Sequence, residues 1–255
     1  MARRLFSGWP GDIVVAGGFL TRLPFHHAAG AGLGDLAAAA RAFPLIGLGI
    51  GAVGGLALWL AAATALGPLA SSLIGLAVMA WLTGALHEDG LADVADAMGG
   101  SSRERRLAIM RDSRIGSFGV LALVFAVAVK AAALSGFSGP GTAWAAMAAA
   151  AALSRAVMVP CMAWLRPARA DGLGHGAGRP DNLTALQALG LGAVAAVALL
   201  GFGAGLAALA AALLAAAVLA RVASARFGGY TGDVLGAVQQ LAEAFVLIAV
   251  GGLMP

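Results

Sequence analysis

Residues 43–86 read FPLIGLGIGAVGGLALWLAAATALGPLASSLIGLAVMAWLTGAL and contain no charged side chain. A helix that crosses a bilayer needs about 20 mostly apolar residues, so this stretch is long enough for two spans. Gly67 and Pro68 lie within it and predict a tight turn between two helices. The stretch therefore predicts a pair of transmembrane helices, and a second charge-free stretch at 183–219 predicts another pair.

The composition of the whole chain also indicates a membrane protein. Of its 255 residues, 61% are hydrophobic and 11% are charged, and the mean hydropathy is +0.92. We predict an all-α, polytopic fold in a single integral-membrane domain over residues 1–255. The apolar run 13–20 is too short to span, so it predicts an interfacial or re-entrant helix. The longer runs predict seven spans, arranged as three tight hairpins and a C-terminal span: 42–66, 69–86, 115–135, 142–164, 184–200, 203–220 and 235–253.

Basic residues concentrate between the predicted spans, in segments 103–114, 166–179 and 221–226. The positive-inside rule places these segments on the cytoplasmic side, and we expect the cell inner membrane with the active site facing the cytoplasm. The net charge of +4 is spread over short loops without interleaved aromatic residues, so we expect no nucleic-acid partner. The single cysteine, Cys161, excludes an internal disulfide framework and a multi-cysteine metal site.

The glycine-rich piece GLGIGAVGG, residues 47–55, allows two interpretations. Gly49, Gly51 and Gly54 have the spacing of a dinucleotide-binding fingerprint, but that fingerprint follows a strand and opens a helix. This piece lies inside a charge-free span instead. Its glycines also recur at every fourth position, as in membrane helices that approach each other closely. We therefore favour helix packing over nucleotide binding.

Four acids fall within HEDGLADVADA, residues 87–97. On a helix Asp89, Asp93 and Asp96 lie within an arc of about 60°, while Glu88 lies about 100° from Asp89. Like charges on one face repel, so the pattern predicts a cation among them. Hard divalent cations prefer carboxylate oxygens, and Mg²⁺ commonly joins one or two carboxylates to a phosphate. A solvated helix end whose acids pair with the following arginines is the alternative.

The next polar stretch, RRLAIMRDSRIGSFG at 105–119, places Asp112 and Ser113 between Arg111 and Arg114. Guanidinium groups suit phosphate oxygens, so acids for a metal beside arginines for phosphate are typical of phosphoryl transfer. Membrane anchoring of the positive loop is the alternative for both arginines.

Other charged residues lie in or beside the predicted spans. Lys130, Arg155 and Glu243 fall inside spans, where charges are usually paired, so we predict that Glu243 pairs with Arg155 or Lys130. Asp233 precedes the last span and predicts either a ligand contact or a helix cap. The loop 166–180 predicts either a plain connection or a cover over substrate, with contacts from Asp171, His175 and Arg179.

Several motifs together resemble the cobalamin synthase family, the adenosylcobinamide-GDP ribazoletransferases. They run in order along the chain: FLTRLP (19–24), FPLIGLGIGAVGG (43–55), GALHEDGLADVADA (84–97), RRLAIMRDSRIGSFGVLAL (105–123), ALSRA (152–156) and TGDVLGA (231–237) followed by Glu243. One departure is that the family often has Gly after the last Asp, where this chain has Ala97.

The resemblance implies a magnesium-dependent transferase that joins adenosylcobinamide-GDP to α-ribazole, or to its 5′-phosphate, and releases GMP. It implies catalytic roles for Asp89, Asp93, Asp96 and Asp112, with Mg²⁺ held by the first three and Glu88 and with Asp112 completing the site or acting as general base. It also implies substrate contacts from Glu88, His87, Arg111, Ser113, Arg114, Arg155, Asp233 and Glu243. A structural role is the alternative for His87, which points about 160° away from Asp89 on a helix.

Two other functions are compatible with parts of the pattern. A membrane phosphotransferase acting on CDP-alcohols also uses several aspartates on one helix, but the order of residues in DGLADVADA differs from that family's. An ion-coupled transporter would need acids deep in the spans on both sides of the midplane, and only Glu243 fits. A homo-oligomer and contacts with other enzymes of the corrinoid pathway are left open.

Overall fold

The computed structural model describes residues 8–25, 36–170 and 176–254, and within these ranges it contains helices and a single isolated parallel bridge between Pro167 and Tyr230. The helices are α1 (Trp9–Leu20), α2 (Leu36–Ala39), α3 (Phe43–Ala62), α4 (Pro68–Thr83), α5 (Leu86–Ala97), α6 (Arg103–Ile109), α7 (Ser117–Ser135), α8 (Pro140–Ala156), α9 (Met158–Trp164), α10 (Asn182–Leu200), α11 (Phe202–Phe227) and α12 (Gly232–Gly251). A 3₁₀ turn, Ala40–Ala42, joins α2 to α3.

Six helical stretches of the described chain are long and apolar enough to cross a membrane: 36–62, 117–135, 140–164, 182–200, 202–227 and 232–251. The bent pair α4 and α5 passes the same test when taken together. The all-α, polytopic fold predicted from the sequence is therefore confirmed. The stretch 140–164 comprises α8 and α9, and it is almost wholly enclosed by other helices.

The second predicted span, 69–86, ends earlier than expected. Helix α4 stops at Thr83, and the chain turns by 93° before α5 begins. Gly84 and Ala85 make this turn with φ angles of 65° and 57°. Left-handed backbone angles suit glycine but are unusual for alanine, so the bend at Ala85 was not predicted from the sequence. Because of it, the acidic helix α5 is an element separate from the span, and we treat α5 as lying outside the membrane-spanning segments.

Glycines allow α3 to pack closely against α8. A Cβ atom at Gly51 would lie 2.7 Å from the Cα atom of Ala148, and one at Gly55 would lie 2.6 Å from the Trp144 ring. A Cβ atom at Gly47 would overlap the Ala151 carbonyl oxygen. The predicted role of this glycine spacing in helix packing is confirmed, because each of these positions faces the neighbouring backbone or ring.

The helices surround α8, which contacts α3, α10 and α12. Helix α12 also packs against α11 and α5. The loop between α7 and α8 is short, as predicted, yet α7 packs mainly on α5, α4 and α12 and makes few contacts with α8. The predicted tight hairpin of these two helices is therefore wrong, because α7 packs on α5, α4 and α12 instead of on α8.

Three loops of the chain meet at one end of the helix bundle. Arg103 donates from Nε to the Phe227 carbonyl at 2.8 Å and from Nη2 to the Ala168 carbonyl at 2.9 Å. The Tyr230 N–H donates to the Arg166 carbonyl at 2.9 Å, and the Ala168 N–H donates to the Tyr230 carbonyl at 2.8 Å. These bonds join the segments after α5, α9 and α11 into one polar end.

Helix α1 packs against α2, α3 and the 3₁₀ turn between them, and an ion pair joins it to that turn. Asp12 accepts a hydrogen bond from Arg41 Nε at 2.7 Å, and the Arg41 guanidinium also lies 4.3 Å from the centre of the Trp9 ring. The short helix predicted near residues 13–20 is therefore present and anchored to the bundle. Its interfacial or re-entrant placement stays a prediction.

Candidate active site

Helix α5 approaches the start of α12 closely because both helices have a glycine at the contact. A Cβ atom at Gly90 would lie 2.7 Å from the Asp233 carbonyl oxygen. A Cβ atom at Gly236 would lie 3.1 Å from the His87 carbonyl oxygen. The glycine inside the acidic motif therefore lets the carboxylates of α5 lie near Asp233, a residue distant in sequence.

Asp93 lies among other carboxylates that raise its pKa. Burial raises the pKa of Asp93 most, the charges of Asp233, Asp89 and Asp96 raise it further, and Arg169 opposes them, which gives a value of about 7. Neither Asp89 nor Asp93 accepts a side-chain hydrogen bond from any residue that the structure describes. These carboxylates therefore concentrate negative charge without a matching number of cations.

Asp96 has a different environment from the other two aspartates of the motif. Its carboxylate accepts the Gly116 N–H at 2.7 Å and the Gly119 N–H at 2.8 Å, at the first turn of α7. A Cβ atom at Gly116 or Gly119 would overlap this carboxylate. Asp96 therefore caps α7 and joins it to α5, which a negative charge at a helix N-terminus favours. Its predicted metal role stays a prediction, and its substitution would also disturb this contact.

Asp233 lies in the first turn of α12 and pairs with Arg169. The distance from Arg169 Nη2 to Asp233 Oδ2 is 3.3 Å, and the Thr231 hydroxyl donates to the same oxygen at 3.1 Å. Thr231 also accepts the Val234 N–H and is the N-cap of α12. The capping role considered for Asp233 therefore belongs to Thr231, and the Asp233 carboxylate faces the aspartates of α5.

Asp112 lies apart from these carboxylates in the exposed segment between α6 and α7. Arg114 binds both of its oxygens, from Nε at 3.0 Å and from Nη2 at 2.7 Å. These hydrogen bonds lower the pKa of Asp112 to about 2, so it is a weak base. Arg111 and Ser113 are exposed in the same segment. The contact that the structure gives Asp112 is with Arg114, and its predicted role in completing the site or as general base stays a prediction.

The charges inside the spans form one buried network. The Glu243 carboxylate lies 3.1 Å from Lys130 Nζ and 3.4 Å from Arg155 Nη1, so the pairing predicted for Glu243 is confirmed for both cations. Gln239 Nε2 donates to Glu243 at 2.7 Å, and Gln240 accepts a hydrogen bond from Lys130 at 2.7 Å. Arg155 and Glu243 are 2% and 3% exposed, and the substrate contacts predicted for them stay predictions.

Glu88 belongs to this network and not to the aspartate face. Gln240 Nε2 donates to Glu88 Oε1 at 2.9 Å. The contact links the acidic helix to the charges inside the spans. The predicted metal role of Glu88 stays a prediction, because its Oε2 atom is buried and has no hydrogen-bond partner among the described residues.

Two cavities meet at Asp89. One is largely enclosed, has a volume of about 150 Å³ and also contains His87, Arg169 and Asp233 in its wall. The other is open, has a volume of about 550 Å³ and is lined by Arg22 and the turn at Gly84 and Ala85. Phe19, Leu86 and Asp89 line both cavities. Asp89 therefore stands where two ligands in adjoining spaces would come together.

The acids suit a magnesium ion that also binds substrate. The described residues contain no group of three His, Cys, Asp or Glu side chains arranged to hold a metal by themselves. Mg²⁺ usually keeps several waters and takes one or two carboxylates plus substrate phosphates, so a complete protein cage is not required. The carboxylates of Asp89 and Asp93 accept no side-chain hydrogen bond from the described residues, and together with Asp233 they fit such a shared site.

Comparison with known proteins decides the family. Residues 12–251 match the family described as cobalamin-5-phosphate synthase. The chain belongs to this family. Adenosylcobinamide-GDP ribazoletransferases of three bacteria are similar to the chain. The one from Bradyrhizobium diazoefficiens is 40% identical over 93% of this chain and 92% of its own length. The one from Azorhizobium caulinodans is 44% identical over 85% of this chain and 84% of its own length. The one from Rhizobium etli is 44% identical over 93% of this chain and 95% of its own length. No solved structure matches the chain significantly.

In this member of the cobalamin-5-phosphate synthase family, four residues near the predicted site were not predicted from the sequence. Arg169, Thr231, Gln239 and Gln240 lie at the acidic cluster or in the buried network. Two adjacent amides inside an apolar span were the available signal for the glutamines. Of the predicted loop contacts, Asp171 and His175 lie outside the described residues. Arg179 Nε donates to the Ala163 carbonyl and holds the loop to the end of α9.

Proposed function

We propose that this chain joins adenosylcobinamide-GDP to α-ribazole, or to its 5′-phosphate, and releases GMP, in the assembly of the cobalamin nucleotide loop. The observation that carries the proposal is the group of Asp89, Asp93 and Asp233, in which Asp89 lines both cavities and Asp233 lines the enclosed one. Membership of the cobalamin-5-phosphate synthase family supports it, as do relatives named adenosylcobinamide-GDP ribazoletransferase.

In this reaction the 5′-hydroxyl oxygen of the ribazole forms a bond to the phosphorus attached to the cobinamide arm. The bond from that phosphorus to the bridging oxygen breaks, and GMP leaves with the bonding electrons. A bound Mg²⁺ would neutralise phosphate charge and lower the pKa of the attacking hydroxyl. Asp89 and Asp93, with Asp233, would hold the ion, and the hydroxyl proton would pass to a carboxylate of this cluster.

Two arginines flank Asp89 and suit the diphosphate. Arg169 lies in the wall of the enclosed cavity, and Arg22 lies in the wall of the open one. The Arg22 side chain is exposed and has no ion-pair partner within residues 8–25, 36–170 and 176–254. An unpaired guanidinium beside the acids can bind phosphate oxygens with two parallel hydrogen bonds.

The test is product formation by the purified full-length protein in detergent or liposomes. With adenosylcobinamide-GDP, α-ribazole and Mg²⁺, we expect equal amounts of GMP and the joined corrinoid, measured by chromatography and mass spectrometry. A CDP-alcohol with an alcohol acceptor is the control substrate pair, and we expect no CMP from it. GMP release that needs no nucleoside, or CMP release from the control pair, would overturn the proposal.

We propose that the polar end of the bundle faces the cytoplasm across the cell inner membrane. The arginine-rich segments at this end support this orientation. Cys161 is buried, so single cysteines can be introduced for labelling. In intact spheroplasts we expect an impermeant thiol reagent to label Ser138→Cys, at the opposite end, and not Ser101→Cys. The reverse pattern would contradict the orientation. A homo-oligomer and contacts with other corrinoid-pathway enzymes stay predictions.

A further inference from the structure

The enclosed cavity beside Asp89 is lined mostly by apolar residues and by a few charged ones. Its apolar wall is formed by Phe19, Leu36, Phe43, Met158, Met162 and Leu235. Phe19 and Phe43 are stacked, with ring centres 6.1 Å apart and an angle of 10° between the planes. The charged residues in its wall are Asp89, Asp233 and Arg169. A ligand in this cavity would therefore have a flat apolar part and would direct a polar part toward the aspartates.

His87 lines the same cavity and lacks hydrogen-bond partners. The residue is 1% exposed, and within the described chain neither Nδ1 nor Nε2 of its ring has a partner. Buried polar atoms are normally paired, so an orphaned imidazole in a cavity wall indicates a ligand contact. An imidazole ring carries at least one N–H group in either protonation state, so His87 offers a buried hydrogen-bond donor to a ligand in this cavity.

We propose that this cavity binds the base of the nucleoside substrate and that His87 donates its ring N–H to the unsubstituted nitrogen of that base. The inference rests on the proposed function. The base of α-ribazole is a benzimidazole, a flat and mostly apolar bicycle whose second ring nitrogen accepts one hydrogen bond. This chemistry matches an apolar cavity with one buried donor.

The other parts of the two substrates fit this cavity poorly. A guanine base has several donors and acceptors along its edges, and the apolar wall would leave most of them unpaired. The corrin ring is far larger than a space of about 150 Å³. With the base enclosed, the ribose extends toward the boundary between the two cavities, where its 5′-hydroxyl meets Asp89. The open cavity of about 550 Å³ then remains for the diphosphate substrate.

The test compares α-ribazole with an isosteric indole nucleoside, in which a C–H group replaces the accepting nitrogen. Nucleoside binding to the purified full-length protein is measured by calorimetry, and KM is measured from GMP release. For the wild type we expect the indole nucleoside to bind about tenfold or more weakly, because it leaves His87 unpaired. His87→Phe keeps the volume but not the donor, so we expect the two nucleosides to bind equally. His87→Asn restores a donor and should restore part of the preference.

A second pair of variants tests the cavity independently of His87. Met162→Phe narrows the cavity at its apolar wall, so we expect a higher KM for α-ribazole and an unchanged KM for adenosylcobinamide-GDP. Met98→Phe is the matched control because Met98 is exposed and outside the cavity. Equal binding of the two nucleosides by the wild type, or a preference that persists in His87→Phe, would overturn the inference. Selective nucleoside binding without GMP release would instead overturn the proposed function, but it would still support the nucleoside-binding site.

Discussion

Asp96 accepts the backbone N–H of Gly119 at 2.8 Å, and this bond joins the end of the acidic helix to the first turn of α7. The Asp96 carboxylate occupies the space where a Gly119 side chain would lie. Two sequence motifs, HEDGLADVADA and RIGSFG, are therefore parts of one contact. The glycine is as much a part of this contact as the acid.

Gly119→Ala should destabilise the protein. The added methyl group would overlap the Asp96 carboxylate, and overpacking of this kind costs about 1–3 kcal/mol. Gly190→Ala is the matched control, because Gly190 lies inside α10 with no heavy atom within 4 Å of the Cβ position. We expect Gly190→Ala to be neutral or slightly stabilising. Thermal unfolding in detergent measures both changes, and equal stability of the two variants would contradict the assigned contact.

Asp93→Asn should change how stability depends on pH in the absence of Mg²⁺. The pKa of Asp93 is about 7 in the folded protein and about 3.8 when unperturbed, so between these values only the folded state holds the proton. The protonated Asp93 therefore favours the folded state, and this contribution to the free energy of unfolding is lost as the pH rises from about 4 to 7. We expect Asp93→Asn to reduce this loss, so that its melting temperature exceeds that of the wild type at pH 8.

The same experiment includes Asp181→Asn, which should follow the wild-type curve closely. Asp181 caps α10 by accepting the Thr184 N–H at 2.7 Å, and asparagine can make the same bond. If the melting temperatures of Asp93→Asn and Asp181→Asn depend on pH in the same way, the conclusion that neighbouring charges raise the pKa of Asp93 is wrong.

Glu243→Gln should destabilise the protein strongly. Removing this carboxylate would leave Lys130 and Arg155 buried without their anion, and breaking a buried ion pair costs about 3–5 kcal/mol. The double variant Lys130→Met with Glu243→Gln should lose less than the sum of the two single variants, because fewer buried charges remain unpaired. Additive losses, measured by unfolding in detergent, would show that the two residues do not interact.

Much of the fold follows from the sequence because the bilayer imposes simple rules. The charge-free runs predict the spans, the glycines at 47, 51 and 55 predict the close approach of α3 and α8, and the buried Glu243 predicts its cationic partners. Each of these predictions depends on local spacing or on the cost of burying a charge.

The remaining features depend on contacts between distant segments. The bend before α5 needs Ala85 in a left-handed conformation, which no residue preference indicates. The spacing of Asp89, Asp93 and Asp96 places them on one face, but it cannot show that α7 uses Asp96 as a cap. Arg169 reaches Asp233 only because the loops after α9 and α11 are hydrogen-bonded together.

The magnesium dependence of GMP release tests the central claim most directly. Wild type, Asp89→Asn, Asp93→Asn and the control Asp181→Asn are compared over a range of Mg²⁺ concentrations. We expect Asp181→Asn to match the wild type. Asp89→Asn and Asp93→Asn should lose about a hundredfold or more in rate and need more Mg²⁺ for half-maximal activity. Near wild-type rates with unchanged Mg²⁺ dependence in both site variants would contradict a catalytic metal site at these carboxylates.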